Sequence, residues 1–276
     1  MLPTGTEQRN QYILDSIASH NDNVAYTWVE VQVPTDDGTD LRISVFEDAL
    51  MVDGVRVGLS ARTSQTVADM VGGILCTPKM ADIIFAARQR TAVPHPQPIS
   101  ASTETMETHS KAITADLAKS GGSGLASTVG KFWCLSNRNT ASLCINYGWH
   151  VMATGSWGGI KVTPCVSLLP GISVIQNAAL AHNYDHLDYS QTLVLAHQDC
   201  MVNGQSRKLA DVLQDPRLAK FLSHEGPLQQ TRLPVGEASF TGDFGRRGAG
   251  GGAARFVVFA AGVALGVWIA DTLLAA

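Results

Sequence analysis

Reactive polar side chains are concentrated between residues 131 and 226, and they are densest in one short window of that stretch. The window contains His182, Asp185, His186, Asp188, Tyr189 and Ser190. Imidazole groups transfer protons near neutral pH, carboxylates orient an imidazole, and hydroxyl groups can attack a carbonyl carbon. The residue types in this window therefore predict acid–base or nucleophilic chemistry in the second half of the chain.

Two histidines of the window have a spacing that suits a metal ion. His182 and His186 are four residues apart, so on a helix they would share one face, as two zinc-binding imidazoles do. Asp188 or His150 is the candidate third ligand, which would leave an open position for water. The zinc protease motif also requires a glutamate after the first histidine, where this chain has Asn183. We predict a zinc site at His182 and His186; the alternative is two ordinary histidines at an interface.

The same residues also allow a hydroxyl nucleophile with its base. Here Ser190 is the nucleophile, the base is His150 or His182, and Asp188 orients the base. Lys131 stands alone in an apolar segment, where it would stabilise an oxyanion or act as a base if burial lowered its pKa. Against this interpretation, no Gly-x-Ser-x-Gly turn surrounds the serine, and a lysine at a strand end often only extends its ammonium to water.

Aromatic residues near these groups are candidates for binding a substrate. Tyr147 and Trp149 stand directly before His150, and Tyr189 lies inside the dense window. We predict that these three rings line a substrate cleft; the alternative is that they belong to the core. Glu225, in the turn SHEGP, is a further candidate acid, or only part of a turn that closes a helix.

The pattern of apolar residues predicts the elements that position these groups. Alternating residues over 24–60, interrupted by Asp53-Gly54, are typical of strands joined by a tight hairpin turn. Thr77-Pro78 begins an amphipathic helix, and 173–187 has the composition of a helix or helical loop. Hairpins mixed with separate helix pairs favour an α+β fold, with antiparallel β-hairpins and packed helices. We also expect one C-terminal transmembrane helix.

Composition changes along the chain divide it into five regions. The expected regions are an N-terminal α+β region (1–98), a linker and helix (99–128), a β-rich region with the candidate active site (129–233), a Gly-rich tether (234–255) and a transmembrane anchor (256–276).

The anchor is predicted from residues 256–276, which are almost wholly apolar. At about 1.5 Å per residue, a helix of this length spans roughly 30 Å, the thickness of the hydrocarbon core of a bilayer. Arginines before the span place the folded part in the cytoplasm, at a membrane, by the positive-inside rule. Gly262 and Gly266 have the spacing that lets two such helices dimerise. The alternative is a buried C-terminal helix.

Charge and cysteine content exclude other classes of protein. The net charge is −4 and charged residues make up 16% of the chain, with no large cluster of lysine or arginine, so we expect no nucleic acid binding. Five scattered cysteines without a C-x-x-C pair indicate reduced thiols rather than a disulfide framework.

The order of these motifs over residues 40–230 resembles that of a family of bacterial and phage proteins. That family has a lysine-containing strand ending in Thr-Asn-Arg, followed by Tyr-Gly-Trp-His, Asp-Tyr-Ser-His-Gly and Leu-Ser-Asp-Glu-Gly-Pro. The matching residues here are Lys131 with Ser136-Asn137-Arg138, Tyr147 to His150, His182, Asp188 to Ser190, and Leu222 to Pro227. The resemblance implies the positions of a site and no particular activity. This chain departs from the family at Gln191 and Thr192, which replace His-Gly, and beside Lys131, where the family's histidine and aspartate are absent.

These observations lead to two main hypotheses of function. The first is a membrane-tethered hydrolase that acts on amide, peptide or glycan bonds, in the cell envelope or in a phage. The second is a non-catalytic, membrane-associated structural or assembly module, because Gln191 cannot transfer a proton near neutral pH. A third class, a carbohydrate- or small-ligand-binding protein, would use Tyr147, Trp149 and Trp157 to line its pocket.

Overall fold

Helices and antiparallel sheets together build the fold in this computed structural model, which describes residues 1–127, 129–165, 171–235 and 256–257. The described helices are α1 (Thr6–Ala18), α2 (Ala61–Val71), α3 (Pro78–Ala87), α4 (Thr103–Ser120), α5 (Leu209–Gln214) and α6 (Ala219–Leu222). The described strands are β1 (Val24–Ala25), β2 (Trp28–Val33), β3 (Leu41–Phe46), β4 (Met51–Val52), β5 (Val55–Arg56), β6 (Gly73–Leu75), β7 (Lys131–Cys134), β8 (Leu143–Met152), β9 (Ser156–Trp157), β10 (Ile160–Lys161), β11 (Thr163–Pro164), β12 (Ile172–Asn183), β13 (Leu195–Val202), β14 (Gln205–Lys208) and β15 (Phe256–Val257).

Two larger sheets carry most of the strands. One has the order β14-β13-β3-β2-β15, with β6 also paired to β13. The other has the order β11-β12-β8-β7, and it contains most of the reactive residues predicted above. All pairs within these two sheets are antiparallel except β15 with β2. The expected α+β architecture with antiparallel hairpins is therefore present.

Local sequence signals explain where several elements begin and end. Asp53-Gly54 forms the expected tight turn and Asn203-Gly204 forms a second one, and all four residues have a positive φ, as a type I′ turn requires. The Thr77 side chain accepts from the N–H of Met80 and so caps α3, directly before Pro78, as predicted.

One predicted helix is wrong. Residues 173–187 were expected to be helical, but Ile172–Asn183 form the long strand β12. β12 pairs with β8 over most of its length, through two register shifts between Gln176 and His182. Within the helix-favouring Ala-Ala-Leu-Ala segment, Ala179 pairs with Asn146 of β8, so tertiary contacts override local propensity. Because His182 lies in β12 and His186 follows the turn at Tyr184-Asp185, their expected helical spacing is absent.

The predicted transmembrane helix is also wrong. Across residues 1–127, 129–165, 171–235 and 256–257, no helix is long and apolar enough to cross a membrane. Phe256–Val257 instead form β15, which pairs with Glu30 and Val31 at the edge of β2. An apolar run fits a sheet as well as a bilayer, and periodicity alone does not separate the two.

The predicted location depended on that helix and is corrected with it. The membrane anchor, the tail-anchored topology and the cytoplasmic orientation of the folded part have no support in the structure. Residues 258–276, including Gly262 and Gly266, lie outside the described residues, and so does most of the predicted tether. The homodimer through these glycines and the lack of nucleic acid binding stay predictions.

The main core joins the two larger sheets. Its buried apolar side chains come from residues between Leu2 and Val235. β13 pairs with β3 and with β6, so strands from the predicted regions 1–98 and 129–233 share one sheet. The five predicted region boundaries themselves stay predictions.

Candidate functional site

Two strands and one loop position the first group of reactive side chains. β7 and β8 pair so that Lys131 lies opposite Gly148, and the loop after β12 runs alongside. The N–H of Lys131 donates to the carbonyl oxygen of Ser190 at 2.7 Å. A Cβ atom at Gly130 would lie 2.5 Å from that same oxygen, so only glycine lets the loop come this close to β7.

A buried ion pair lies at the centre of this group. Lys131 Nζ is 2.8 Å from Asp188 Oδ2, and the two side chains are 11% and 6% exposed. Ser190 donates to the other carboxylate oxygen, Oδ1, from its hydroxyl at 2.5 Å and from its N–H at 2.8 Å. Burial alone would raise the pKa of Asp188, but the Lys131 charge and the hydrogen bonds from Lys131 and Ser190 hold it below its usual range. We call Lys131, His186, Asp188 and Ser190 the Lys–Asp site.

The histidine of the Lys–Asp site is its most exposed member. His186 Nε2 is 3.9 Å from Asp188 Oδ2, and the side chain is 31% exposed. Within the described residues His186 Nε2 has no hydrogen-bond partner. Because Nε2 is buried on the side of the carboxylate, this imidazole can accept a proton at its other nitrogen, Nδ1, while the carboxylate stabilises the charge that forms.

The second histidine of the window packs against the first. The rings of His182 and His186 stack with their centroids 3.9 Å apart and their planes 6° apart. Both rings meet Trp133 edge-on, at 6.2 and 6.5 Å between centroids. Burial, followed by the neighbouring His186, lowers the pKa of His182, which favours a neutral ring in the stack.

Ser190 and Gln191 hold the carboxylate in place. Ser190 is fully buried, and its hydroxyl donates to Asp188 rather than to a histidine. The side-chain carbonyl of Gln191 accepts from the N–H of Asp188 at 2.8 Å. Gln191 therefore fixes the loop that carries Asp188.

Trp149 lies beside the ion pair, and Tyr189 packs against Trp149. They form a small buried cluster with Met106, and the Trp149 ring lies 5.4 Å from Lys131 Nζ. Trp149 has a φ of +55°, a left-handed conformation that a bulky residue rarely adopts. Its indole N–H is buried and lacks a hydrogen-bond partner among the described residues. Strain and an unpaired donor beside a buried ion pair are typical of functional sites.

A second polar group surrounds Asp82, a buried side chain of α3. Asp82 Oδ1 accepts from the Tyr147 hydroxyl at 2.6 Å and lies 2.8 Å from His150 Nε2. Asp82 Oδ2 lies 3.4 Å from His224 Nε2. The Tyr147 hydroxyl is also 3.5 Å from Cys165 Sγ. We call Asp82, Tyr147, His150, Cys165 and His224 the Asp82 cluster.

The protonation states in this cluster follow from burial and from the charge of Asp82. Burial alone would raise the pKa of Asp82, but hydrogen bonds from His150, His224 and Tyr147 hold it well below its usual range. Burial and the nearby carboxylate raise the pKa of Tyr147 far above its usual value and that of Cys165 to about 12. At neutral pH the cluster therefore has a charged carboxylate beside a protonated phenol and a protonated thiol.

The two groups lie on opposite faces of the sheet that contains β7 and β8. Tyr147 lies opposite Phe132, the neighbour of Lys131 in β7, and successive side chains of a regular strand alternate between faces. The left-handed conformation of Trp149 interrupts this alternation in β8, so His150 reaches Asp82 as Tyr147 does. The structure thus separates the predicted residues. It brings Lys131, Asp188 and Ser190 together with His186, His182, Trp149 and Tyr189, and it places His150 and Tyr147 at Asp82.

One group of side chains could hold a metal ion. Asp82, His150 and Cys165 each offer a ligand atom, and these atoms lie within 4.8 Å of one another. Among the described residues no other group of three or more such side chains meets this distance, so His182 and His186 have no third ligand there. The specific assignment of His182 and His186 as zinc ligands stays a prediction.

Sequence reasoning missed Asp82, Cys165 and His224. The signal for Asp82 was present, since it is the one acidic residue within the apolar helix segment PKMADIIFAA. A carboxylate on the buried face of a helix requires partners, which the sequence cannot name. Glu225, considered as an acid, instead accepts from the Ser136 hydroxyl and the Asn137 N–H, both at 2.6 Å.

Comparison with known proteins identified no relative of this chain. No family model, curated protein or solved structure matches the chain.

Proposed function

We propose that the protein is a hydrolase of amide or peptide bonds, with its reaction centre at the Lys–Asp site. The observation that supports this most directly is a partly exposed imidazole, His186, whose Nε2 lies 3.9 Å from a buried carboxylate, Asp188, that is itself paired with Lys131. A buried ion pair costs desolvation energy and is weak evidence for stability, whereas charged groups arranged around a reachable imidazole suit catalysis.

In this proposal each group has a separate role. His186 takes a proton from water as the water oxygen attacks the carbonyl carbon, and the imidazolium then gives that proton to the leaving nitrogen. Asp188 stabilises the imidazolium, and the Lys131 ammonium stabilises the negative charge that develops on the carbonyl oxygen. Ser190 acts as a positioning residue, because its hydroxyl and N–H both bind Asp188 Oδ1.

The acidic residues around the site favour an amide over a glycosidic bond. Most glycosidases use two carboxylates, one on each side of the scissile bond. Here Asp188 is the buried carboxylate of the site, while Asp185 binds Arg62 at 2.7 Å on the surface. We therefore retain the amide and peptide substrates of the hydrolase hypothesis.

We propose zinc as the ion that the Asp82 cluster would hold. Thiol, imidazole and carboxylate together form a ligand set that zinc accepts, whereas magnesium and calcium take oxygen ligands. Asp82, His150 and Cys165 provide one donor of each kind. This proposal assigns the metal to the Asp82 cluster rather than to His182 and His186, which lie on the other face of the sheet.

The hydrolase proposal is tested by incubating the purified chain with a panel of amide, peptide and glycan substrates. We expect cleavage of an amide or peptide substrate, and a loss of about 100-fold or more in kcat/KM in His186→Gln. His197→Gln is the matched control, since His197 also lies 3.9 Å from a carboxylate and has a similar exposure of 33%. Equal activity in the two variants would refute the proposal. The absence of cleavage across the panel would favour the non-catalytic module.

A further inference from the structure

We propose that His224 is the fourth ligand of a zinc site formed with Asp82, His150 and Cys165, and that this zinc has a structural role. The inference rests on the zinc assignment proposed above and adds the complete ligand set and the function of the metal. It is independent of the hydrolase proposal, because the Lys–Asp site lies on the other face of the sheet.

His224 is assigned as a ligand because it contacts the same carboxylate, Asp82, as His150 does. His150 Nε2 approaches Asp82 Oδ1 at 2.8 Å, and His224 Nε2 approaches Asp82 Oδ2 at 3.4 Å. His224 thus contacts the same carboxylate through its other oxygen, but it lies outside the set of ligand atoms within 4.8 Å of one another, so its partly exposed side chain would turn towards the ion on binding. One thiolate, two imidazoles and one carboxylate supply four ligands, the number that structural zinc takes in a tetrahedral arrangement.

The surroundings of the cluster match those of a closed metal site. The side chains of Asp82 and His150 are 2% and 0% exposed, and His150 stacks on Phe85 with the ring centroids 5.1 Å apart. The Tyr147 hydroxyl contacts both Asp82 and Cys165, as an outer-shell residue that orients metal ligands would. His224 is 30% exposed, so the ion would enter from its side.

Binding would proceed with a balanced exchange of protons. Cys165 would lose its thiol proton to solvent and bind as the thiolate. His150 would bind as a neutral imidazole through Nε2, with its proton on Nδ1, and the carboxylate of Asp82 would bind in its charged form. No oxidant or reductant is needed.

The positions of the four ligands in the chain indicate what the metal would do. Asp82 lies on α3, His150 on β8, Cys165 directly after β11 and His224 two residues after the end of α6. Asp82 and His224 are 142 residues apart in the sequence. An ion that joins these segments would bind only the folded chain, so its binding free energy would add to the free energy of unfolding. With four protein ligands no position stays open for a substrate, which separates this role from catalysis.

The test uses the full chain, stripped with chelator and reloaded with zinc chloride or cobalt chloride. We expect one zinc per chain and, at a zinc concentration 100-fold above Kd, a rise of roughly 5–10 °C in the unfolding temperature. The cobalt form should show a tetrahedral visible spectrum and a thiolate-to-cobalt charge-transfer band. The band should disappear in Cys165→Ser and persist in the control Cys200→Ser.

Two variants of His224 decide its role. His224→Gln should lower zinc affinity by at least about 10-fold, whereas the matched control His197→Gln should leave it unchanged. His224→Cys keeps a ligand at this position, so it should retain the tetrahedral spectrum and gain charge-transfer intensity.

The outcomes separate the two levels of the inference. If the wild-type chain binds no zinc after reloading, the zinc assignment fails and this inference fails with it. If zinc binds but His224→Gln has wild-type affinity and His224→Cys shows no added band, only the fourth ligand is refuted. If zinc binds without raising the unfolding temperature, the structural role is refuted.

Discussion

The pairing of Lys131 with Asp188 sets the electrostatics of the candidate site. Two charges that are each about nine-tenths buried persist only when they are paired and hydrogen-bonded, and here the carboxylate receives donors from Lys131 and Ser190. The sequence predicted the participants Lys131, Asp188 and Ser190. It could not predict that Ser190 would bind the carboxylate directly, because one rotation of a side chain decides between a nucleophile and a positioning residue.

The pH dependence of stability tests this pair. The pKa of Asp188 is lower in the folded chain than in the unfolded chain, so the folded state binds its proton less readily. The stability that the pair contributes is therefore complete above the unfolded value of about 4 and is lost as pH falls towards the folded pKa. We expect Asp188→Asn to be less stable than the wild type at pH 6, by about 3–5 kcal/mol, because it leaves the lysine buried without its partner.

Urea unfolding of both proteins at a series of pH values from 6 to 3 measures the difference. The difference should shrink below about pH 4. Asp22→Asn, at an exposed position, is the control and should stay close to the wild type throughout. A difference that is constant down to pH 3 would show that the ionic pairing is not its source.

At the scale of elements, close backbone approach holds the loop of the site against β7. A Cβ atom at Gly130 would lie 2.4 Å from Thr192 Oγ1 and 2.5 Å from the Ser190 carbonyl oxygen. We expect Gly130→Ala to displace the loop, to lower the free energy of unfolding by about 1–3 kcal/mol and to reduce hydrolysis together with it. Urea unfolding and the activity assay check both effects.

The control for this substitution is Gly5→Ala. A Cβ atom at Gly5 would meet only the far end of the flexible Gln8 side chain, which can move aside. If Gly130→Ala were as stable and active as Gly5→Ala, the loop would not depend on this approach.

Elements with strong local signals were predictable, and elements set by distant partners were not. The turn at Asn203-Gly204 and the cap and proline at the start of α3 are fixed by residues adjacent in the sequence. β12 was predicted as a helix because its Ala-rich segment favours a helix locally. Its actual partner, β8, lies some thirty residues earlier in the chain, where local sequence signals do not reach. The same error accounts for the wrong prediction that His182 and His186 share one face of a helix.

At the scale of the whole molecule, the shared sheet links the two halves of the chain. β13 pairs with β3 and β6, and the main buried cluster includes side chains from both halves. We expect residues 1–235 to unfold in one cooperative transition, with coincident urea curves from far-ultraviolet circular dichroism and tryptophan fluorescence. Two separated transitions would show instead that the halves are independent folding units.

The apolar composition of residues 256–276 led to the largest error at this scale. A run of apolar residues is compatible with a bilayer, with a core and with a sheet, and only the partners of its backbone decide among them. In the structure its first two residues pair with β2. The mixture of predicted hairpins and helix pairs correctly indicated the α+β class of the described chain, since both carry local signals.

The hydrolase proposal depends on His186 acting as the base, and chemical rescue tests this most directly. His186→Gly should lower kcat/KM for the cleaved amide or peptide substrate by about 100-fold to 10,000-fold, because the group that accepts the proton from water is removed. Added imidazole should restore much of the rate in a saturable manner, while His197→Gly should neither lose activity nor respond. A His186→Gly protein that is folded and retains wild-type activity, or one that loses activity and is not rescued by imidazole, would contradict the account.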